Sequence, residues 1–271
     1  MEAKESAREQ ILKSLHHIDW QSKTVTVRIN SVDTPFAYRD LLEIAEGAGQ
    51  KIAAIVVPKV NHAGDIHFVD RMLVGIEQAK NHSRHIRIEA SIETAEGLAA
   101  VTKIAKAGRR LRSLIFGIAD YSASVGARLV SISGHGEHEA EIYPGHRWHF
   151  AVSRIVMAAK ANGLLAIDAP YGNFKDPEGL KQAAVMACAL GCDGKWAIHP
   201  SQLDTINQVF IPTKADIERA ARVLEAAQAA RTQGRGAIAV DGRMVDQATV
   251  RLAQQLYHQA QSLGLINPSL D

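Results

Sequence analysis

"SLIFGIADYSASVG" (Ser113–Gly126) is the stretch on which the reading of this chain turns. Its first half is a continuous apolar run, the pattern of a strand covered on both faces in a parallel sheet. The run ends at Asp120, where a buried strand should hand over to a loop, and small residues follow: Ser122, Ala123 and Ser124. In parallel α/β folds the carboxyl ends of strands are where active-site residues converge. A carboxylate at that point, with small neighbours leaving room for a ligand, therefore predicts a site.

Outward from this stretch, five further β-rich runs stand out: Thr24–Asn30, Ala53–Val60, Ile86–Ile92, Leu164–Asp168 and Lys195–His199. Patterns of three-and-four spacing separate most of them, such as "AYRDLLEIAEGAG", "GDIHFVDRMLVGIEQAKNH" and "AEGLAAVTKIAKAG". Strands alternating with helices predict right-handed βαβ units and a parallel sheet. Gly49 and Gly108 are expected to cap the helices before the second and fourth strands. After Gln202 the pattern turns helical, passes through the turn-rich "GRGAIAVDGRMVD", and closes on a helix from Gln247 to about Leu263. The reading is a barrel over residues 1–210 and a helical arm over residues 211–271.

The same strand-end logic, applied to every run, yields a set of polar candidates: Arg28 and Asn30, Lys59, Glu93, Asp120, Asp168, then His199 and Gln202. Glu93 and Asp120 fall at the ends of adjacent strands. Two carboxylates, all oxygen donors, suit a hard divalent cation such as Mg²⁺ and leave positions for water and substrate oxygens. Arg28 suits a bidentate grip on a substrate carboxylate. Lys59 and Asp168 are candidates for substrate contacts, and Asp176, before Pro177 and Glu178, is placed to cap a helix.

Other signals point away from chemistry. His135, His138, His146 and His149 share a Gly- and Ser-rich segment that runs from Ser122 to His149, read as a polar lid. "GRGAIA" (Gly234–Ala239) matches a dinucleotide fingerprint on paper but follows a helix and opens no βαβ unit. Cys188 and Cys192, four apart on an expected helix, read as apolar packers, with no disulfide framework. Net charge is +2, from 31 basic and 29 acidic residues, so no broad nucleic-acid or membrane footprint is expected. No apolar run reaches about 18 residues, and the polar N-terminus has no signal-peptide core. A reducing, cytoplasmic setting is the expectation.

The motifs "VRINS", "VVPKV", "SIETAEGL", "FGIADYSAS", "IDAPYGNFKDPEGL", "GKWAIHPSQ" and "DGRMVD" occur in this order over essentially the whole chain. Together they resemble the citrate lyase β-subunit-like family of CoA-thioester lyases. The His-rich segment and "HRWHFAVSRIVMAAKANGL" look most similar to its malyl-CoA and β-methylmalyl-CoA lyases. The resemblance implies a (β/α)₈ barrel, Mg²⁺, a CoA-thioester substrate and a homo-oligomer, often a trimer or hexamer. It implies that Glu93 and Asp120 bind the metal and that Arg28 holds the 2-hydroxy- or 2-oxo-acid part. A C-terminal arm would supply an acid to a neighbouring subunit's site, here Asp246, with Asp241 the second choice. The activity implied is cleavage of a malyl-CoA-type thioester to acetyl-CoA or propionyl-CoA and a 2-oxo acid such as glyoxylate. A thioesterase on the same scaffold and a non-catalytic relative are the alternatives. Six strands are read where the family has eight. The two that would precede the segment carry, in the family, a Phe-x-Pro-type start and a Leu-Glu-Asp motif.

Overall fold

The computed structural model describes residues 2–128, 145–232 and 238–267. His135, His138 and most of the expected lid, with Gly234–Ala237 of "GRGAIA", lie outside the described residues. The chain divides into two compact units, Met1–Ile206 and Asn207–Asp271, four residues before the sequence-based boundary.

The first unit opens with helix α1 (Glu2–His17) and then alternates: β1 (Thr26–Arg28), α2 (Ala37–Ala48), β2 (Ala54–Val57), α3 (Ala63–Ala79), β3 (Arg87–Ile92), α4 (Ala95–Ile104), β4 (Leu111–Phe116), α5 (Ile118–Ser124), α6 (His149–Lys160), β5 (Leu165–Asp168), α7 (Pro177–Leu190) and β6 (Gly194–Lys195). The six strands form one parallel sheet in the order β1-β2-β3-β4-β5-β6. Each strand pairs with its predecessor in sequence and the order never reverses. A doubly wound sheet reverses at a switch point, so this is the winding of a (β/α) barrel.

The core explains why these runs became strands. Ile55, Ile88, Leu114 and Ile115 are fully buried, and all of β2 is buried, as a sheet covered on both faces requires. Helix α2 turns Ala37, Leu41, Ile44, Ala45 and Ala48 inward, and α3 turns Ile66, Val69, Leu73 and Ile76, each a stripe of helical period. Arg8 of α1 is buried and pairs with Asp40 (3.2 Å) and Glu43 (2.7 Å) of α2. Asp40 in turn accepts the Asn30 backbone N–H (2.8 Å) and side-chain amide (2.6 Å). Asn30 therefore shapes the turn after β1 rather than standing free.

Several expectations change. Asp120 does not end a strand: β4 stops at Phe116, and Asp120 lies in the first turn of α5, where a carboxylate is favoured by the helix dipole. β6 is shorter than Lys195–His199, because His199 caps a 3₁₀ turn, Pro200–Gln202, through its ring. Gly49 is the C-cap of α2 as expected, its N–H donating to Ala45 O, but with a right-handed φ of −56° rather than a left-handed one. A Cβ there would fall 2.2 Å from the His82 ring, so glycine serves close approach. α4 ends before Gly108, with Ala105 as its cap residue, and Gly108 has no positive φ. Cys192 is not helical; α7 ends at Leu190 and is capped by Gly191, at φ +98°, and both cysteines are free thiols. Asp176 does cap α7: its Oδ1 accepts from Gly179 N at 2.9 Å, and Tyr171 donates to its Oδ2 at 2.7 Å.

After α8 (Leu203–Phe210), the second unit holds α9 (Lys214–Thr232), a hairpin of β7 (Ile238–Val240) and β8 (Arg243–Val245), and α10 (Gln247–Ser262). Asp241 and Gly242, at φ +50° and +73°, make the two-residue turn, the backbone that Asp-Gly favours. Val245, Ala220, Val223, Val250 and Ala253 form its own small core.

Candidate active site

The register of β3 against β4 places the site. Glu89 pairs with Ser113, Ser91 with Ile115, and Ile92 with Phe116. Alternation then sets Glu89, Ser91 and Glu93 on one face, with Ser113, Ile115 and Gly117 beside them. The ladder continues one step past both strands, where Gly117 N donates to Ile92 O at 3.0 Å. A Cβ on Gly117 would lie 2.3 Å from Glu93 Cβ and 2.6 Å from Glu93 Oε2. Gly117 has an ordinary φ of −101°, so glycine is needed for space: the Glu93 side chain lies across it.

Lys59 then joins the two carboxylates. It follows Pro58 with φ +52°, a left-handed conformation for a residue with a side chain. In that conformation its backbone N–H donates to Glu93 Oε1 at 2.6 Å, and its ammonium reaches Asp120 Oδ1 at 2.9 Å. Glu93 is buried, whereas Lys59 and Asp120 are about half exposed. Burial pushes the Glu93 carboxyl above its usual range, the Lys59 N–H opposes this, and the nearby Asp120 charge adds to it. The Asp120 carboxylate, as hydrogen-bond partner and as charge, raises the Lys59 ammonium. Arg28, exposed at the end of β1, is close enough to favour the Glu93 charge. Its guanidinium has no hydrogen bond or ion pair among the described residues.

The surroundings fix these groups. Thr94 caps α4, accepting from Gly97 N at 2.9 Å and donating to Asn61 Oδ1. Gly97 has no room for a Cβ, which would meet Val60 O at 2.4 Å. The hydroxyls after Asp120 are occupied: Ser122 donates to Ile118 O at 2.6 Å, and Ser124 accepts from Ala95 N at 2.9 Å, tying α5 to α4. Tyr121 packs edge-on against Phe116 and Trp148 at 5.4 and 5.9 Å.

The structure thus gathers Arg28, Lys59, Glu93 and Asp120. It does not bring Asp168 to them. Asp168 shares its face of β5 with Ala166, opposite the Glu93 face, and is buried against Lys195 Nζ at 2.6 Å. Asp246 lies in the second unit, where it caps α10, accepting from Thr249 N at 2.7 Å and Thr249 Oγ1 at 2.8 Å. Those bonds hold its carboxyl below the usual range. Asp241 faces Arg222 at 3.2 Å. Gly117, Asn61 and Thr94 were not anticipated; only Gly117 left a trace in sequence, as a glycine closing an apolar strand.

The donor set fits a hard divalent cation. Glu93 is buried, and the nearby Asp120 charge adds to burial in driving it toward its neutral form; a bound cation would offset both effects on Glu93. Among the described residues no group of three or more His, Cys, Asp or Glu is arranged to hold a metal, so the remaining ligands would be water or substrate.

A singly wound parallel sheet with an acidic pair and an arginine gathered beyond the carboxyl ends of its strands is the arrangement of a barrel enzyme. The chain belongs to the HpcH/HpaI aldolase/citrate lyase family, whose model matches residues 1–200. It is 40% identical over 263 residues to the L-malyl-CoA/β-methylmalyl-CoA lyase of Rhodobacter capsulatus, covering 95% of this chain and 83% of that one. A citrate lyase from Burkholderia xenovorans LB400 shares the fold with a TM-score of 0.84 over 97% of this chain and 81% of its own, at 21% identity. CitE from Mycobacterium tuberculosis, solved with magnesium, acetoacetate and coenzyme A, superposes with a TM-score of 0.68 at 27% identity, covering 95% of this chain and 84% of that one. No helix among the described residues is long and apolar enough to cross a membrane.

Proposed function

We propose that this protein is a Mg²⁺-dependent carbon–carbon lyase that cleaves a malyl-CoA-type thioester to acetyl-CoA or propionyl-CoA and a 2-oxo acid. The observation that carries the reading is the bridging of Glu93 and Asp120 by Lys59 beside an unengaged Arg28. The names of the relatives support the reaction class.

Glu93 and Asp120 would hold the Mg²⁺, which when bound would supply Lewis-acid polarisation of substrate oxygens. Arg28 binds the carboxylate of the 2-oxo-acid portion through paired N–H donors, which fixes that end while the carbon–carbon bond breaks. The Lys59 N–H aims Glu93, and its ammonium keeps Asp120 oriented. Gly117 keeps the space that Glu93 needs. Asp168 and Lys195 brace the ends of β5 and β6 rather than meeting substrate. Asp246 is the proposed acid: ionised by its Thr249 bonds at rest, its carboxylate takes the proton that leaves the substrate hydroxyl and passes it to the α-carbon of the departing acyl-CoA, so the step needs no outside proton. Its place in the second unit suits delivery to a neighbouring subunit's site in a trimer or hexamer, which makes activity depend on assembly.

The test is product analysis with malyl-CoA and Mg²⁺. Glyoxylate and acetyl-CoA should form in equal amounts. Free CoA and malate without glyoxylate would overturn the lyase reading in favour of the thioesterase. For the arm, inactive Asp246→Ala and inactive Glu93→Ala are mixed under subunit exchange, and activity should return in part.

A further inference from the structure

The opposite end of the same sheet carries a second charged basin that the proposed lyase reaction does not use. A cavity of about 930 Å³ opens at the amino ends of β3, β4 and β5, lined by Arg87, Lys106, Arg109, Arg112, Asn162 and Gly163 among others, with no carboxylate in its wall.

The local structure explains how four cations came together. The ladder between β3 and β4 shifts between Ile88 and Glu89, so Leu111 pairs with Ile88 and Ser113 with Glu89. Arg112 is the extra residue of that bulge, and bulges re-aim side chains. Arg87 opens β3, and its Nη1 donates to Arg109 O at 3.0 Å, tying the strand start to the turn before β4. Arg110, between the two exposed arginines, points the other way into the protein. It takes Asp70 at 2.7 Å and Glu77 at 2.7 and 2.8 Å. The buried arginine thus consumes the acidic residues of this end. Arg87, Lys106, Arg109 and Arg112 have no ion-pair partner among the described residues. The half-buried Glu89 is the counter-charge that Arg112 feels, and burial drives that carboxyl toward its neutral form.

We propose that this basin is a binding site for a small oligophosphate, an anion bearing two or more consecutive phosphate groups. A single carboxylate would leave most of the positive charge uncompensated, whereas linked phosphates present several acceptor oxygens to three guanidinium forks and an ammonium. The floor is small and open at Gly108 and Gly163, which gives the anion access to the arginines. The site lies at the end of the strands away from Glu93 and Asp120, so its occupancy is separate from substrate binding.

Titration calorimetry of the whole chain with inorganic tripolyphosphate tests this. Saturable one-site binding that weakens with added salt is expected. The double variant Arg109→Gln/Arg112→Gln should weaken it about tenfold or more, as loss of charge-assisted hydrogen bonds implies. Lys106→Gln alone should weaken it less. Both should keep the wild-type thermal midpoint and basal lyase activity, since these side chains are exposed and outside the catalytic group. Arg28→Gln should leave tripolyphosphate binding unchanged. Absence of saturable binding to wild type overturns the proposal. So does binding that survives in Arg109→Gln/Arg112→Gln but is lost in Arg28→Gln, which would place the anion at the catalytic end. Neither outcome bears on the lyase reading, which rests on Glu93 and Asp120.

Discussion

Glu77 and Glu93 are both buried carboxylates of the first unit, 4% and 7% exposed, yet they sit in opposite circumstances. Glu77 is saturated. Arg110 grips both its oxygens, His85 approaches Oε2 at 2.8 Å, and Ile86 N donates to Oε1 at 2.7 Å. Burial would raise its carboxyl, but these partners outweigh burial and hold it below the usual range. Glu93 has one backbone donor and faces a second carboxylate, so it stays above that range. A buried carboxylate with every lone pair engaged holds structure together. One left short of partners, beside another acid, is a candidate to hold a cation or a substrate.

Breaking the saturated member should have the largest effect. Glu77→Ala leaves Arg110 buried with Asp70 as its remaining carboxylate, and a broken buried pair costs about 3–5 kcal/mol. Chemical denaturation should show that loss, with turnover per folded molecule unchanged. The unsaturated member should behave the other way. Glu93→Gln, or Asp120→Asn, keeps size and hydrogen bonding but removes a charge from the proposed cation site. A fall in kcat/KM of at least about 100-fold, near 2.7 kcal/mol, is expected without loss of stability. If Glu93→Gln instead unfolds the protein with activity intact, the contrast between the two glutamates is wrong. A smaller effect should follow from crowding Glu93. Gly117→Ala introduces a Cβ with no space, at a cost of about 1–3 kcal/mol. Activity should fall further than stability, because the displaced group is Glu93 itself.

The contrast also marks what the sequence could show. β2 and β4 were legible because runs such as "AAIVV" and "SLIF" are buried on both faces and need no partner to be recognised. Glu93 and Asp120 were legible because each follows such a run. Arg110 and Glu77 were not: they lie 33 residues apart, and only tertiary folding pairs them. Asp120 was placed on a strand end because the apolar run "IFGIA" continues into the first turn of α5, where Ile118 is buried as well. The Lys59 backbone could not be read, since nothing in "VVPKV" announces a left-handed residue. The hairpin at Asp241-Gly242 could have been, from its turn dipeptide flanked by apolar residues.

The smallest expected effect is also the most diagnostic of saturation. For Glu77, the folded protein holds the carboxyl below the usual range while the unfolded chain does not, so the unfolded state binds a proton more readily in mild acid. The stability contributed by the ionised Glu77 is therefore fully present above the unfolded carboxyl range. It is lost as pH falls through the depressed folded value. Glu77→Gln preserves shape and accepts a hydrogen bond but cannot ionise. The stability gap between wild type and Glu77→Gln should be widest near neutral pH and should narrow on acidification, in urea midpoints measured across the acid range. His85, three-quarters exposed on the same carboxylate, allows a control: His85→Gln should leave the narrowing in place, because Arg110 and the Ile86 N–H carry the remaining stabilisation. A gap that stays constant from neutral to acidic pH would mean that the charge on Glu77 is not what Arg110 holds. Saturation would then no longer separate the structural carboxylate from the proposed metal ligand.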